Sequence, residues 1–88
     1  MEKKIDRWLQ EGKIEEAMQA LEKHPEIDRQ EELLLLLGEL YYKQGKTIEA
    51  LNKFNALLRL NPEHKKAQTY VEMINNVLDF YYKDLLNP

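Results

Sequence analysis

Apolar residues recur along this chain at three- and four-residue intervals and hardly ever at alternate positions. That spacing belongs to amphipathic helices with one buried stripe, not to half-buried strands. Ile14, Ala17, Met18 and Leu21 form one stripe, and Leu33, Leu37, Leu40 and Tyr41 form another. A third and longer one comprises Ala67, Tyr70, Val71, Ile74, Val77, Leu78, Tyr81 and Leu85. Valine stands only at 71 and 77, so strand-forming residues are sparse. An all-α fold is expected.

Glycine and proline punctuate the pattern at Gly12, Pro25, Gly38, Gly45, Pro62 and Pro88. Together these signals predict five helices, at roughly 2–10, 14–23, 29–43, 47–59 and 62–86. His24-Pro25 stops the second, because the residue before proline is pushed out of the helical region. Asp28 reads as the N-cap of the third, with Glu31 completing a capping box. Asn61-Pro62 reads as an N-cap followed by proline at the first helical position, where a missing N–H costs nothing.

The chain also repeats itself. Gly12-Lys13 returns as Gly45-Lys46, Glu16-Ala17 as Glu49-Ala50, Trp8 as Tyr41 and Leu21 as Phe54, each 33 residues later. The unit is helix, short glycine turn, helix. Ala17 and Ala50 stand where a second helix must approach the first closely. Trp8 and Tyr41 are large residues placed to fill the space between the pair.

These residues resemble the tetratricopeptide repeat family. Its pattern of W-x2-L-G-x2-Y, then A-x3-F, then P is met over residues 31–64 by Leu37-Gly38, Tyr41, Ala50, Phe54 and Pro62, with Leu34 replacing the first aromatic. Residues 1–25 are similar to the later part of another repeat, with Lys4-Ile5 in place of the Leu-Gly pair. Residues 63–86 look like the capping helix of such an array. The resemblance implies an antiparallel helical-hairpin solenoid of about one and a half repeats plus a long C-terminal helix, with 1–88 as one domain.

The first helix of each pair lines the concave surface of such a solenoid. The resemblance therefore implies a partner-binding groove formed by Leu9, Leu35, Glu39, Tyr42, Lys43, Lys66, Tyr70 and Met73, with Asp6, Gln10 and Val77 beside them. The alternative is that Leu35 and Tyr42 are buried against the neighbouring first or fifth helix. Clamps for acidic C-terminal tails in this family use lysine, asparagine and arginine, whereas Glu32, Leu35 and Glu39 dominate the central helix here. A basic or amphipathic segment suits these charges better. The expected function is non-catalytic binding of a protein or peptide.

The fifth helix supplies an alternative. It outruns the fourth, so Phe80, Tyr81, Leu85 and Leu86 are expected to overhang the preceding pair. An apolar patch at an array end marks an interface. It could dock a second copy as a homodimer, dock another partner, or simply cap the core.

Composition narrows the chemistry. There is no cysteine and no serine, which removes disulfides, thiolate zinc sites and the commonest nucleophiles. His24 and His64 lack a second ligand at metal-binding spacing, so no metal is expected. Glu15-Glu16 and Glu31-Glu32 lie in first helical turns, where negative charge suits the macrodipole. No glycine-rich phosphate loop is present, so no cofactor is expected. Lys43, Lys46, Lys53, Arg59, Lys65 and Lys66 are interspersed with Glu and Asn in a chain of net charge −3, so nucleic-acid binding is not expected. The longest apolar run, Leu33–Leu37, is far below the ~20 residues a membrane span needs, and the N-terminus lacks a leader's apolar stretch. The expected compartment is the cytoplasm, and the compact form suggests a bacterial source.

Overall fold

The computed structural model describes residues 3–86, with side chains through Tyr81. Five helices follow in order: α1 (Lys3–Gln10), α2 (Ile14–Glu22), α3 (Glu31–Lys43), α4 (Thr47–Leu60) and α5 (Lys65–Leu86). No strand occurs among the described residues. Helices adjacent in sequence pack side by side, α1 on α2, α2 on α3, α3 on α4 and α4 on α5, and the α3–α4 contact is the most extensive. This is the all-α, hairpin-by-hairpin architecture anticipated from the apolar spacing.

The two glycine turns are built alike. Gly12 and Gly45 share φ +77°, a left-handed conformation that disfavours any Cβ. The Lys13 N–H donates to the Trp8 carbonyl at 2.8 Å, and the Lys46 N–H donates to the Tyr41 carbonyl at 2.9 Å. Lys13 and Lys46 occupy the N-cap positions of α2 and α4 with nearly the same backbone angles. Every partner is displaced by the same 33 residues that relate the sequence matches.

Two apolar clusters fill the interior. One gathers Ile5, Met18, Leu21, Ile27, Leu33, Leu34, Leu37 and Leu57 around α1, α2, α3 and α4. The other joins Ala50, Phe54 and Ile74 between α4 and α5. Leu35 and Tyr41 pack against both. Ile27 was not marked by helical periodicity because it lies in the turn segment between α2 and α3. It nevertheless pins that turn to the core.

Two helix starts differ from the sequence expectation, each for a local reason. α3 begins at Glu31 after Gln30, whose side chain makes no cap bond, so the Asp28 capping box does not form. Backbone bonds from Arg29 and Gln30 to the Glu26 carbonyl keep that stretch a turn instead. α5 begins at Lys65, not Pro62. Asn61 Oδ1 accepts from the Glu63 N–H at 3.1 Å, which closes a turn. His64 Nδ1 then accepts from the Ala67 N–H at 3.2 Å, so the N-cap is His64.

Candidate functional site

Gly38 decides how closely α4 approaches α3. A Cβ built there would lie 2.6 Å from Phe54 Cε1 and 2.9 Å from both Cδ1 and Cζ. The notch left by the missing side chain is thus filled by the Phe54 ring, which is wholly buried. Ala50 is buried in the same cluster, but the group that nests against Gly38 is Phe54, one helical turn further along.

From Phe54 an aromatic series runs outward. The Tyr70 ring on α5 stacks on it with centroids 4.4 Å apart and planes 4° from parallel. Tyr42 on α3 meets Tyr70 edge-on at 5.4 Å and 69°. Such pairs contribute about 0.5–1.5 kcal/mol beyond the area they bury. The series passes from a buried ring through a half-buried one to Tyr42, which is 37% exposed. Met73 follows on the next turn of α5 and is 41% exposed.

Charge borders this apolar floor. The Tyr70 hydroxyl donates to Glu39 Oε2 at 2.8 Å, and the Lys66 ammonium lies 3.3 Å from the same oxygen. Burial, together with the hydrogen bond and charge of Glu39, pushes the Tyr70 phenol up to about 12. Glu39 therefore ties α3 to α5 before any ligand is considered. A shallow depression beside Met73 is lined by Lys66, Thr69 and Tyr70, and another lies where Glu31, Glu32 and Leu35 face His64.

Of the residues anticipated for a groove, Leu35, Glu39, Tyr42, Lys66, Tyr70 and Met73 lie on or beside the α3–α5 face, with Leu35 half-buried. Leu9, on α1, is half-buried against the first cluster, which Leu35 also packs against. Lys43 is exposed in the last turn of α3. Val77 was expected both on the inward stripe of α5 and beside the groove, and it is 63% exposed; Tyr81, expected to overhang, is 60% exposed. The cause is length: α4 has 14 residues and α5 has 22, so α4 reaches Ala67, Tyr70, Val71, Ile74 and Leu78 but leaves Val77 and Tyr81 exposed. Phe80, 74% exposed, overhangs as anticipated. Leu85 and Leu86 lie outside the residues whose side chains are described.

The family comparison falls on the segment that builds this face. Residues 31–64, spanning α3, the Gly45 turn and α4, match the family model for the tetratricopeptide repeat. Over this segment the chain is similar to the tetratricopeptide repeat. No match was found among curated proteins or solved structures. Tetratricopeptide repeats are in general non-catalytic and serve to bind other proteins.

On the opposite flank of this repeat lies a second polar cluster that periodicity did not reveal. The Tyr41 hydroxyl donates to Glu22 Oε2 at 2.7 Å, and Lys53 Nζ lies 2.7 Å from Glu22 Oε1. The three residues join α2, α3 and α4. Partial burial raises the Glu22 carboxyl, but the bonds from Lys53 and Tyr41 and the lysine charge outweigh that and hold it below its ordinary value. Burial first, then Glu22, pushes the Tyr41 phenol well above the usual tyrosine range. The signal available in the sequence was Tyr41 itself, whose hydroxyl needs a partner once the ring is half-buried. Asn61 Nδ2 donates to Glu31 Oε1 at 2.9 Å and ties the end of α4 to the start of α3.

Among the described residues no group of His, Asp and Glu is placed to hold a metal ion, and no helix is long and apolar enough to cross a membrane.

Proposed function

We propose that the protein binds a peptide or helical segment of a partner across the α3–α5 face. The observation that carries this reading is the aromatic series from Phe54 through Tyr70 to Tyr42, which continues into exposed Met73. Rigid rings anchored in a core and presented at a surface offer large contact area at low entropic cost. Glu32 and Glu39 on α3 favour a ligand that brings basic or amide groups to the apolar floor. Glu39 is held by Tyr70 and Lys66, so it would accept a donor without first being ordered. Residues 1–25 serve in this reading as a shortened repeat and 63–86 as the cap. The role is non-catalytic, in the cytoplasm, without metal, cofactor, nucleic acid or membrane. In support of the last points, Lys53 and Lys66 are each paired with a carboxylate.

The test is selection of peptides from a displayed random library, followed by amide-shift mapping with a selected peptide. The expected shifts cluster at Leu35, Tyr42, Tyr70 and Met73, and Tyr42→Glu abolishes them. Shifts confined to the outer faces of α2 and α4 would sink this reading.

A second reading is self-association through α5. It is favoured by a separate observation: Val77, Phe80 and Tyr81 are the three most exposed large hydrophobic residues among those described.

A further inference from the structure

The second hairpin receives α2 through a particular set of side chains. The Tyr41 hydroxyl and the Lys53 ammonium each lie 2.7 Å from a carboxylate oxygen of Glu22 on α2. Glu15 and Met18 of α2 meet Tyr41 and Lys46 in the same junction. Glu15, Met18 and Glu22 follow one another at intervals of three and four residues, so they share one helix face. The α3–α4 hairpin thus takes a helix that carries an apolar side chain between two carboxylates, and answers the carboxylates with the cations of Lys46 and Lys53.

The matching face of the first hairpin stands open. Thirty-three residues back, Tyr41 becomes Trp8, Lys46 becomes Lys13 and Lys53 becomes Ala20. Trp8 and Ala20 are half-buried and line a hollow of about 230 Å³ together with Glu16, Gln19 and Lys23. No helix among the described residues lies across it. The Trp8 indole N–H can only donate, as the Tyr41 hydroxyl does to Glu22. Lys4, whose ammonium sits 5.0 Å from the Trp8 ring centroid, and exposed Lys23 outnumber the Glu16 carboxylate. Donor and charge both suit a carboxylate, and the Trp8–Ala20 floor suits an apolar side chain beside it.

We infer that this hollow docks an amphipathic helix of another protein, one that carries carboxylates and an apolar residue in the spacing of Glu15, Met18 and Glu22. A second copy has no such helix to lend. Its α2 face is engaged by its own Tyr41 and Lys53, and the matching α4 positions are Ile48, Leu51 and Asn55, which bear no carboxylate. Leu51 is moreover packed into the cluster between α4 and α5. The hollow shares no residue with the α3–α5 face, so both can be occupied at once.

The probe is a synthetic peptide of residues 13–23, held helical by a hydrocarbon bridge between positions 16 and 20, away from its Glu15–Met18–Glu22 face. The peptide has no aromatic residue and the full chain has one tryptophan, so Trp8 emission reports binding. Titration should move that emission to shorter wavelength with a dissociation constant on the order of 100 μM, in keeping with a small contact. Amide shifts should centre on Trp8, Gln19 and Ala20. Ala20→Lys, which installs the counterpart of Lys53, should tighten binding about fivefold, and Lys23→Glu should weaken it about fivefold. Circular dichroism checks that each variant keeps its helices. A peptide carrying Glu15→Lys and Glu22→Lys should not bind. Unchanged Trp8 emission up to millimolar peptide, or equal binding of the charge-reversed peptide, overturns the inference and leaves the α3–α5 reading standing. Shifts centred on Tyr42 and Tyr70 also overturn it and assign the peptide to the α3–α5 face.

Discussion

The two hairpins share a turn and differ in how they fill the space above it. In the first, Ile5 and Leu21 are both buried. In the second, the positions 33 residues on are Gly38 and Phe54, with the ring seated where a side chain on α3 would be. One hairpin divides the space between two aliphatic groups, and the other gives it to one aromatic group across from none. Backbone geometry at the turn is therefore set separately from packing between the helices. Only the second solution places a flat ring under α5, and only the second leads to an aromatic surface.

The comparison is broken most severely at Phe54. Phe54→Ala is expected to cost about 3–5 kcal/mol in urea unfolding, from lost burial plus a cavity. It should also remove the stacking that orders Tyr70. Gly38→Ala comes next, at about 1–3 kcal/mol, because the new Cβ meets a ring already held by Tyr70. Combining it with Phe54→Leu, which moves the second hairpin toward the first, should give less destabilisation than the two single losses together. Strict additivity would show that the notch and the ring are not coupled.

The turns sharpen the comparison from the other side. Gly12→Ala and Gly45→Ala should each cost about 1 kcal/mol, since both glycines hold φ +77° with open space around them. Thermal unfolding of the two variants should show matching losses, and a loss at one turn only would deny their equivalence.

The smallest effects are those of pH, and they separate the two tyrosine–glutamate–lysine clusters. Glu22 is held below its ordinary pKa, so its contribution is present above about pH 4.3, the unfolded value, and is lost as pH falls through the folded value. Comparing wild type with Glu22→Gln across acid pH should show the difference shrinking downward. Tyr70 is raised to about 12, so its contribution is whole below about pH 10 and fades as pH climbs toward 12. Tyr70→Phe should show a smaller alkaline fade, leaving the part that Tyr41 contributes. Both groups are partly exposed, so a few tenths of a kcal/mol is the expected scale.

Most of the fold was legible in the residue pattern because helices announce themselves locally. Apolar spacing located all five, and the 33-residue offset found both glycine turns. The α3 and α5 starts were misplaced because Asp28 and Asn61 are good caps in isolation. Which cap is used depends on the turn between helices, and there Glu26 and His64 prevailed. That Leu35, Glu39, Tyr42, Lys66, Tyr70 and Met73 share the α3–α5 face was readable because a helix face follows from spacing alone. Val77 left the inward stripe because spacing alone says nothing about where the covering helix stops. Glu22 with Lys53 was invisible, being a meeting of three helices that no single segment records.

The Phe54 ring has a role on each side. One edge completes the fold at Gly38, and one face supports Tyr70. In the proposed binding role, changes in preference should therefore accumulate first at Tyr42, the most exposed of the three rings. Phe54 itself has no such latitude. A lineage evolving a new specificity on this scaffold would keep its foundation stone and recarve the outer rings.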